Sequence, residues 1–414
     1  MIFTRNSLIS SHKHLVKCIH YPSFVDQASL GSGALHDQNF ASVKKRSQNL
    51  ISKILPTYQE FKKAIKYNEA NNAWEIYNHL VPSPAYRNDV IPLHPEEHSV
   101  MLQHLIFHVH PRVASYRAYR VYTRMKQYGI LVDRRDYHAL LLVLVRNRDV
   151  ERASNIYMEY LSKLKPDSRA VSLMLSLYGD QKDSIKTFEM WDFLKNIPGA
   201  MENPDVWAVA IDAFAKCGLF DTSLELFNDY KNDVNTRKFS TLDRKPFEAM
   251  IRAYGIRGYL DSAKGLFEEL ENGANMIHLE SFDAIIHACK SCHNFKEGIL
   301  YWNKLLEFTR NVHPQRSQEV WKPIPLQSTI CTMMSFYAEN KNLDAVLQLY
   351  QKYRRYQLES LELLEIITWT LLHLEKHSEA IEVYDRLQQK NYVPSDILSS
   401  TIEHFRKKIH LRSV

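Results

Sequence analysis

The sequence predicts an all-α solenoid of about nine helix-turn-helix repeats, on three observations. A small residue is followed four positions later by an aromatic and seven later by a large apolar side chain. That unit recurs nine times at spacings of 45, 35, 34, 36, 40, 35, 48 and 34, so five intervals lie within one residue of 35. A self-similar period of this size marks stacked helical repeats. Offsets of 0, +4 and +7 share one face of a helix. The third observation is a run of apolar pairs upstream of each unit, which ends a preceding helix.

In chain order, the units are Ala73-Tyr77-Leu80, Ala118-Tyr122-Met125, Ala153-Tyr157-Tyr160, Thr187-Trp191-Leu194 and Ser223-Phe227-Tyr230. Ala263-Phe267-Leu270, Gly298-Trp302-Leu305, Val346-Tyr350-Tyr353 and Ala380-Tyr384-Leu387 follow. Each defines the second helix of a repeat, helix B. Helix A precedes it and closes on pairs such as Leu140-Leu141, Ala210-Ile211, Met250-Ile251 and Ile285-Ile286. Short polar turns join the two, among them Lys216-Cys217-Gly218, Ile256-Arg257-Gly258 and Asn340-Lys341-Asn342. Polar, Pro-bearing stretches at residues 81–97 and 310–325 coincide with the intervals of 45 and 48, and residues 232–242 account for the interval of 40. The tyrosines at +4 and +7 are expected to be core, where a ring with a polar tip packs well.

The composition restricts function further. The 414 residues contain 11 glycines and no Gly-rich phosphate loop, which disfavours nucleotide-binding folds. The longest apolar run, residues 139–145, is about a third of what a membrane span needs, so no span is expected. Residues 1–45 read as a mitochondrial presequence and linker. Arg5, Lys13, Lys17 and several serines occur there, and no acid precedes Asp26. Five scattered cysteines suit a reducing compartment such as the matrix. Cys289-Lys290-Ser291-Cys292-His293 matches a haem-attachment string, and His278-Leu279-Glu280 with those cysteines mimics a zinc-deaminase signature. The repeat register places Cys292 and His293 where Cys217 and Gly218 stand, so the string is expected to be an inter-helix turn. No cofactor, no metal and no catalytic activity are predicted.

Large residues at +7 separate this pattern from tetratricopeptide repeats, which place a small residue there. The segments VWAVAIDAFAKCGLFDTSLELFNDY (206–230) and PFEAMIRAYGIRGYLDSAKGLFEEL (246–270) resemble the pentatricopeptide repeat. So do the repeat ends Gly129-Ile130-Leu131-Val132-Asp133, Lys165-Pro166-Asp167 and Tyr392-Val393-Pro394-Ser395-Asp396. The resemblance covers about residues 58–410, within an array assigned to 46–414, and implies a right-handed superhelix. It also implies that single-stranded RNA lies along the A helices.

In that family, one residue early in helix A and the last linker residue before it read a base. Fifteen residues before each small residue lie Gln103, His138, Ser172, Ala208, Glu248, Asp283 and Cys331, and the second position falls on Asp133, Asp167 and Asp243. The family implies Asn, Ser, Thr or Asp at the first position, which only Ser172 and Asp283 satisfy. Low sequence specificity is therefore expected. Arg146 and Lys216 occupy the family's phosphate-facing position, with Arg257 and Lys290 one residue away. The net charge of +6 is mild for an RNA binder. The basic run from Arg406 to Arg412 is expected to touch RNA or to cap the array. The expected partner is mitochondrial mRNA or rRNA. The alternative is a protein held in the same groove, as in a mitoribosome-associated or respiratory-complex assembly factor.

Overall fold

The computed structural model describes residues 58–67, 69–81, 93–107, 111–235, 243–273, 277–311, 325–353, 361–389 and 396–410, which form α-helices and turns with no strand among them. The presequence assigned to residues 1–45, and most of each insertion, lie outside the described residues. The helices are α1 (58–66), α2 (Ala70–Leu80), α3 (Pro95–His104), α4 (Pro111–Gln127), α5 (Arg134–Arg146) and α6 (Val150–Lys163). After them come α7 (Ser168–Asp180), α8 (Ser184–Lys195), α9 (Pro204–Lys216), α10 (Phe220–Asn235), α11 (Arg244–Arg257), α12 (Leu260–Asn272) and α13 (Leu279–Ser291). The last six are α14 (Phe295–Asn311), α15 (Gln327–Glu339), α16 (Leu343–Tyr353), α17 (Leu361–His373), α18 (His377–Gln389) and α19 (Asp396–His410). Even-numbered helices are the B helices, and every one of the nine units falls in one of them. Of the residues assigned to insertions, 95–97 open α3, and 232–235 and 310–311 complete α10 and α14.

All 27 pattern positions are buried, so the period reports packing. In the second unit each B helix packs against its own A helix and the helix that follows it, as α10 does on α9 and α11. Where a hydroxyl replaces alanine at the small position, a local carbonyl absorbs it. Ser223 Oγ donates to Ile211 O at 3.0 Å and Thr187 Oγ1 to Asp183 O at 2.7 Å.

The chain divides into two compact units, one ending at Leu164 and the other beginning at Lys165. In the first, A helices α3 and α5 pack together, with α4 and α6 against α5. In the second, α7, α9, α11, α13, α15 and α17 form one continuous layer in which each packs on the next. Two glycines make parts of that layer close. A Cβ on Gly179 would stand 2.6 Å from Ala213 Cα, and one on Gly255 would stand 2.4 Å from Ala288 Cα.

The turn between helices A and B is the same in seven successive repeats. The residue five before each small residue has positive φ: Arg148, Lys182, Gly218, Gly258, His293, Lys341 and Glu375. That left-handed residue closes the helix-A end, with its N–H bonded back three residues, as His293 N to Lys290 O at 2.9 Å. Only two of the seven are glycine.

Candidate nucleic-acid interface on the A helices

Of the predicted base-facing residues, Asp133, Asp167 and Asp243 are helix caps, Glu248 and Asp283 bridge helices, and His138 and Ser172 do neither. Asp133 caps α5 in a reciprocal box, accepting from Asp136 N at 2.9 Å while Asp133 N donates to Asp136 Oδ2 at 3.1 Å. Asp167 accepts from Ala170 N at 2.9 Å and Asp243 from Lys245 N at 2.8 Å. A linker aspartate just before helix A is thus also the N-cap that satisfies an orphan backbone donor. His138 is buried against the Tyr160 ring, centroids 6.1 Å apart. Ser172 Oγ is buried without a hydrogen-bond partner among the described residues.

Glu248 is buried and bridges two helices. It accepts from Ser281 Oγ of α13 at 2.7 Å and pairs with Arg244 Nε at 3.2 Å. Asp283 accepts from Ser328 Oγ at 2.9 Å and Thr329 Oγ1 at 2.6 Å, both on α15. Glu248 therefore presents no bare charge to a phosphate.

The phosphate-facing cations differ among themselves. Lys216 Nζ lies 2.7 Å from both Asp180 Oδ1 of α7 and Asp212 Oδ2 of its own helix. Burial alone would lower its pKa, but the two carboxylates outweigh it and hold the ammonium above the ordinary lysine value. Asp212 is shared with Arg252 Nε of α11 at 3.3 Å; burial opposes its charge, and the two cations overcome that and lower its pKa. Lys290 Nζ donates to Ser335 Oγ at 2.6 Å and lies 3.5 Å from Glu339 on α15. Arg146 reaches the Ile106 carbonyl. Arg257 is exposed and has no ion pair among the described residues.

Residues 15, 11 and 7 before the small residue lie on one helix face, four apart. The sequence reading used the first position and, for the phosphate contacts, residues near the last. The middle column was missed, and in α9, α11, α13 and α15 it is Asp212, Arg252, His287 and Ser335. Its signal was the i+4 spacing from the base-facing column. It supplies inter-helix contacts, including His287 Nε2 within 2.8 Å of Thr332 Oγ1. The surface from α7 to α15 is a row of bridged, nearly neutral polar groups.

The haem-like string, expected to be an inter-helix turn, is half helix: Cys289 to Ser291 end α13 and only Cys292 and His293 form the turn. The deaminase-like His278 and Glu280 stand at the opposite end of α13. Cys289 is buried in α13, and desolvation pushes its thiol up to about 12, far from a thiolate at neutral pH. Cys292 Sγ lies 3.6 Å from Gly255 O, and His293 is the left-handed residue.

The sequence model of the PPR repeat matches residues 205–233 and 247–272, the α9–α10 and α11–α12 pairs. The chain carries pentatricopeptide repeats in these two pairs. A mitochondrial pentatricopeptide repeat-containing protein of Arabidopsis thaliana is 28% identical over 125 residues, 30% of this chain and 12% of that protein. A second from the same plant is 24% identical over 162 residues, covering 38% and 22%. The chain therefore spans under a quarter of the length of these relatives. Among solved structures, the pentatricopeptide repeat protein PPR10 of maize, in complex with an 18-nt psaJ RNA element, aligns with 80% of this chain and 45% of its own, at 16% identity and a TM-score of 0.42. Yeast Rmd9p in complex with a 16-nt target RNA aligns with 85% and 75%, at 13% identity and a TM-score of 0.42. No described helix is long and apolar enough to cross a membrane.

Proposed function

We propose that this pentatricopeptide repeat protein binds single-stranded RNA along its A-helix layer in the mitochondrial matrix, without catalysing a reaction. Occupancy is the mechanism: an ordered strand is withheld from nucleases and from competing RNA structure. That action suits transcript stability, processing or splicing, translation, or ribosomal RNA maturation. The observation that carries the reading is two successive repeats matching the family's sequence model inside an unbroken A-helix layer. The acid-free N-terminal stretch and the mitochondrial relatives support the location.

The bridged state of the layer bears on specificity. Three second-position aspartates cap helices and Lys216 is shared by two carboxylates, so few groups remain to read bases or attract phosphate. A second reading, a protein held on the same layer, draws on this near neutrality.

Crosslinking in isolated mitochondria followed by sequencing of recovered RNA tests the reading. Enrichment of defined organellar transcripts is expected; a stable protein partner with RNA at background would overturn it. In solution, Arg257→Glu should weaken RNA affinity several-fold and lower the salt slope by about 0.7. Lys216→Glu is a poor probe because it would place three carboxylates together.

A further inference from the structure

The chain's net charge is concentrated in one place. Residues 111–152 hold ten of the 53 Lys and Arg and four of the 47 Asp and Glu, leaving 43 of each in the rest. The entire +6 is therefore the balance of α4, α5 and the start of α6.

Six of these ten cations stand on the B helices α4 and α6. Helix α4 carries Arg112, Arg117, Arg120, Arg124 and Lys126 and no acid. Arg124 is buried over the Tyr77 ring and Lys126 pairs with Glu159 at 3.0 Å, so those two serve the fold. Arg112 and Arg120 make no carboxylate pair among the described residues. Arg112, Tyr116 and Arg120 are four apart and all exposed, forming one stripe, with Tyr116 at 56%. Arg120 Nη1 donates to Tyr116 OH at 3.3 Å. From α6, the Arg152 guanidinium lies 4.9 Å over the half-exposed Tyr119 ring and is itself paired with Asp149 Oδ2 at 3.3 Å. Arg117 sits 5.3 Å over Trp74, with its Nη1 donating to Asn71 Oδ1 at 2.8 Å.

The acids of this stretch are engaged away from the stripe. Asp133 and Asp136 cap α5 and Asp149 caps α6, while Asp133 also lies 3.5 Å from Arg135 and Asp149 lies 3.3 Å from Arg152. Helix polarity sharpens the contrast. The B helices α6, α10, α12, α14, α16 and α18 each begin with an acid in the first turn, as the helix dipole favours, whereas α4 has Arg112 there. An arginine against the dipole costs a little stability, and no carboxylate among the described residues pairs with Arg112 to offset it.

Arg112 and Arg120, without a carboxylate pair among the described residues and interleaved with the exposed rings of Tyr116 and Tyr119, fit a ribose-phosphate backbone whose unpaired bases stack on the tyrosines. We infer that the exposed Arg112-Tyr116-Arg120 stripe of α4, flanked by Tyr119, is a second, sequence-independent contact for single-stranded RNA, on a B helix of the first unit. This inference rests on the RNA-binding reading above. It assigns the salt-dependent part of affinity to a surface other than the A-helix layer, where most cations are bridged.

The test uses the full chain and an oligouridylate of about 30 nucleotides, with an RNA duplex and polyglutamate as comparison probes. Affinity is measured between ~50 and ~200 mM salt for the wild type, Arg112→Glu/Arg120→Glu and Arg112→Lys/Arg120→Lys. The glutamate pair should lower affinity about tenfold or more and reduce the slope of log K against log salt by about 1.4, while the lysine pair keeps the slope. Circular dichroism should show both variants folded, since neither residue is buried. An unchanged slope in the glutamate pair, with Arg257→Glu still weakening binding, would reject this surface and leave the RNA reading standing. Duplex bound as tightly as single strand, or polyglutamate competing as well as RNA, would replace the assigned occupant. No RNA binding by the wild type would remove both readings.

Discussion

His293 shows how one residue can look chemical and be conformational. Its φ of 52° puts it in the left-handed region, which costs a non-glycine residue about 1–2 kcal/mol. Its side chain is exposed, so His293→Gly should relieve that strain and raise stability by about 0.5–1 kcal/mol after glycine's larger entropy loss, read as a higher thermal midpoint. His98 differs in being fully buried. Its Nδ1 lies 2.8 Å from Tyr77 OH, and burial, with Arg124 nearby, depresses its pKa to about 4. The unfolded chain takes up this proton near pH 6.5 and the folded chain only near 4, so stability falls as pH drops through that window. Between pH 7 and 5 the loss is about 2 kcal/mol, and His98→Gln should flatten the dependence in denaturant melts across that range. Glu159 acts at lower pH. Burial opposes its charge, but hydrogen bonds from Lys163, Tyr122, Lys126 and Tyr137 win and lower it to about 2.

At the scale of elements, close A-helix contacts are set by missing side-chain atoms. Gly255→Ala would drive a Cβ into the Ala288 backbone and should destabilise by about 1–3 kcal/mol. Gly265→Ala in α12 meets open space and should stabilise by up to about 1 kcal/mol through helix propensity. Opposite signs in paired melting curves would confirm that packing sets the cost at Gly255; equal signs would reject it. The capping aspartates obey the same local logic. Asp133, Asp167 and Asp243 each open helix A, and a cap is worth about 1 kcal/mol whatever else the residue touches. Their presence in a base-reading column is therefore weak evidence of base reading.

For the whole molecule, the helices and their buried faces were readable because helix periodicity is local. Ala263, Phe267 and Leu270 state their shared face within seven residues, and the same spacing held through Gly298, Val346 and Ala380. Even the left-handed turn was readable, since Gly218 marks a position that His293 repeats. The state of the charged residues was not. Lys216 and Arg257 look alike in sequence, yet one is clamped by Asp180, 36 residues away, and the other is exposed. The sequence by itself determined the repeat unit, its register and the concentration of net charge in residues 111–152. Only the tertiary structure decided which cations are neutralised, which aspartates cap helices and which face of α4 is left open. Periodicity is written into neighbours along one helix, whereas an ion pair joins residues that become neighbours only when successive repeats stack.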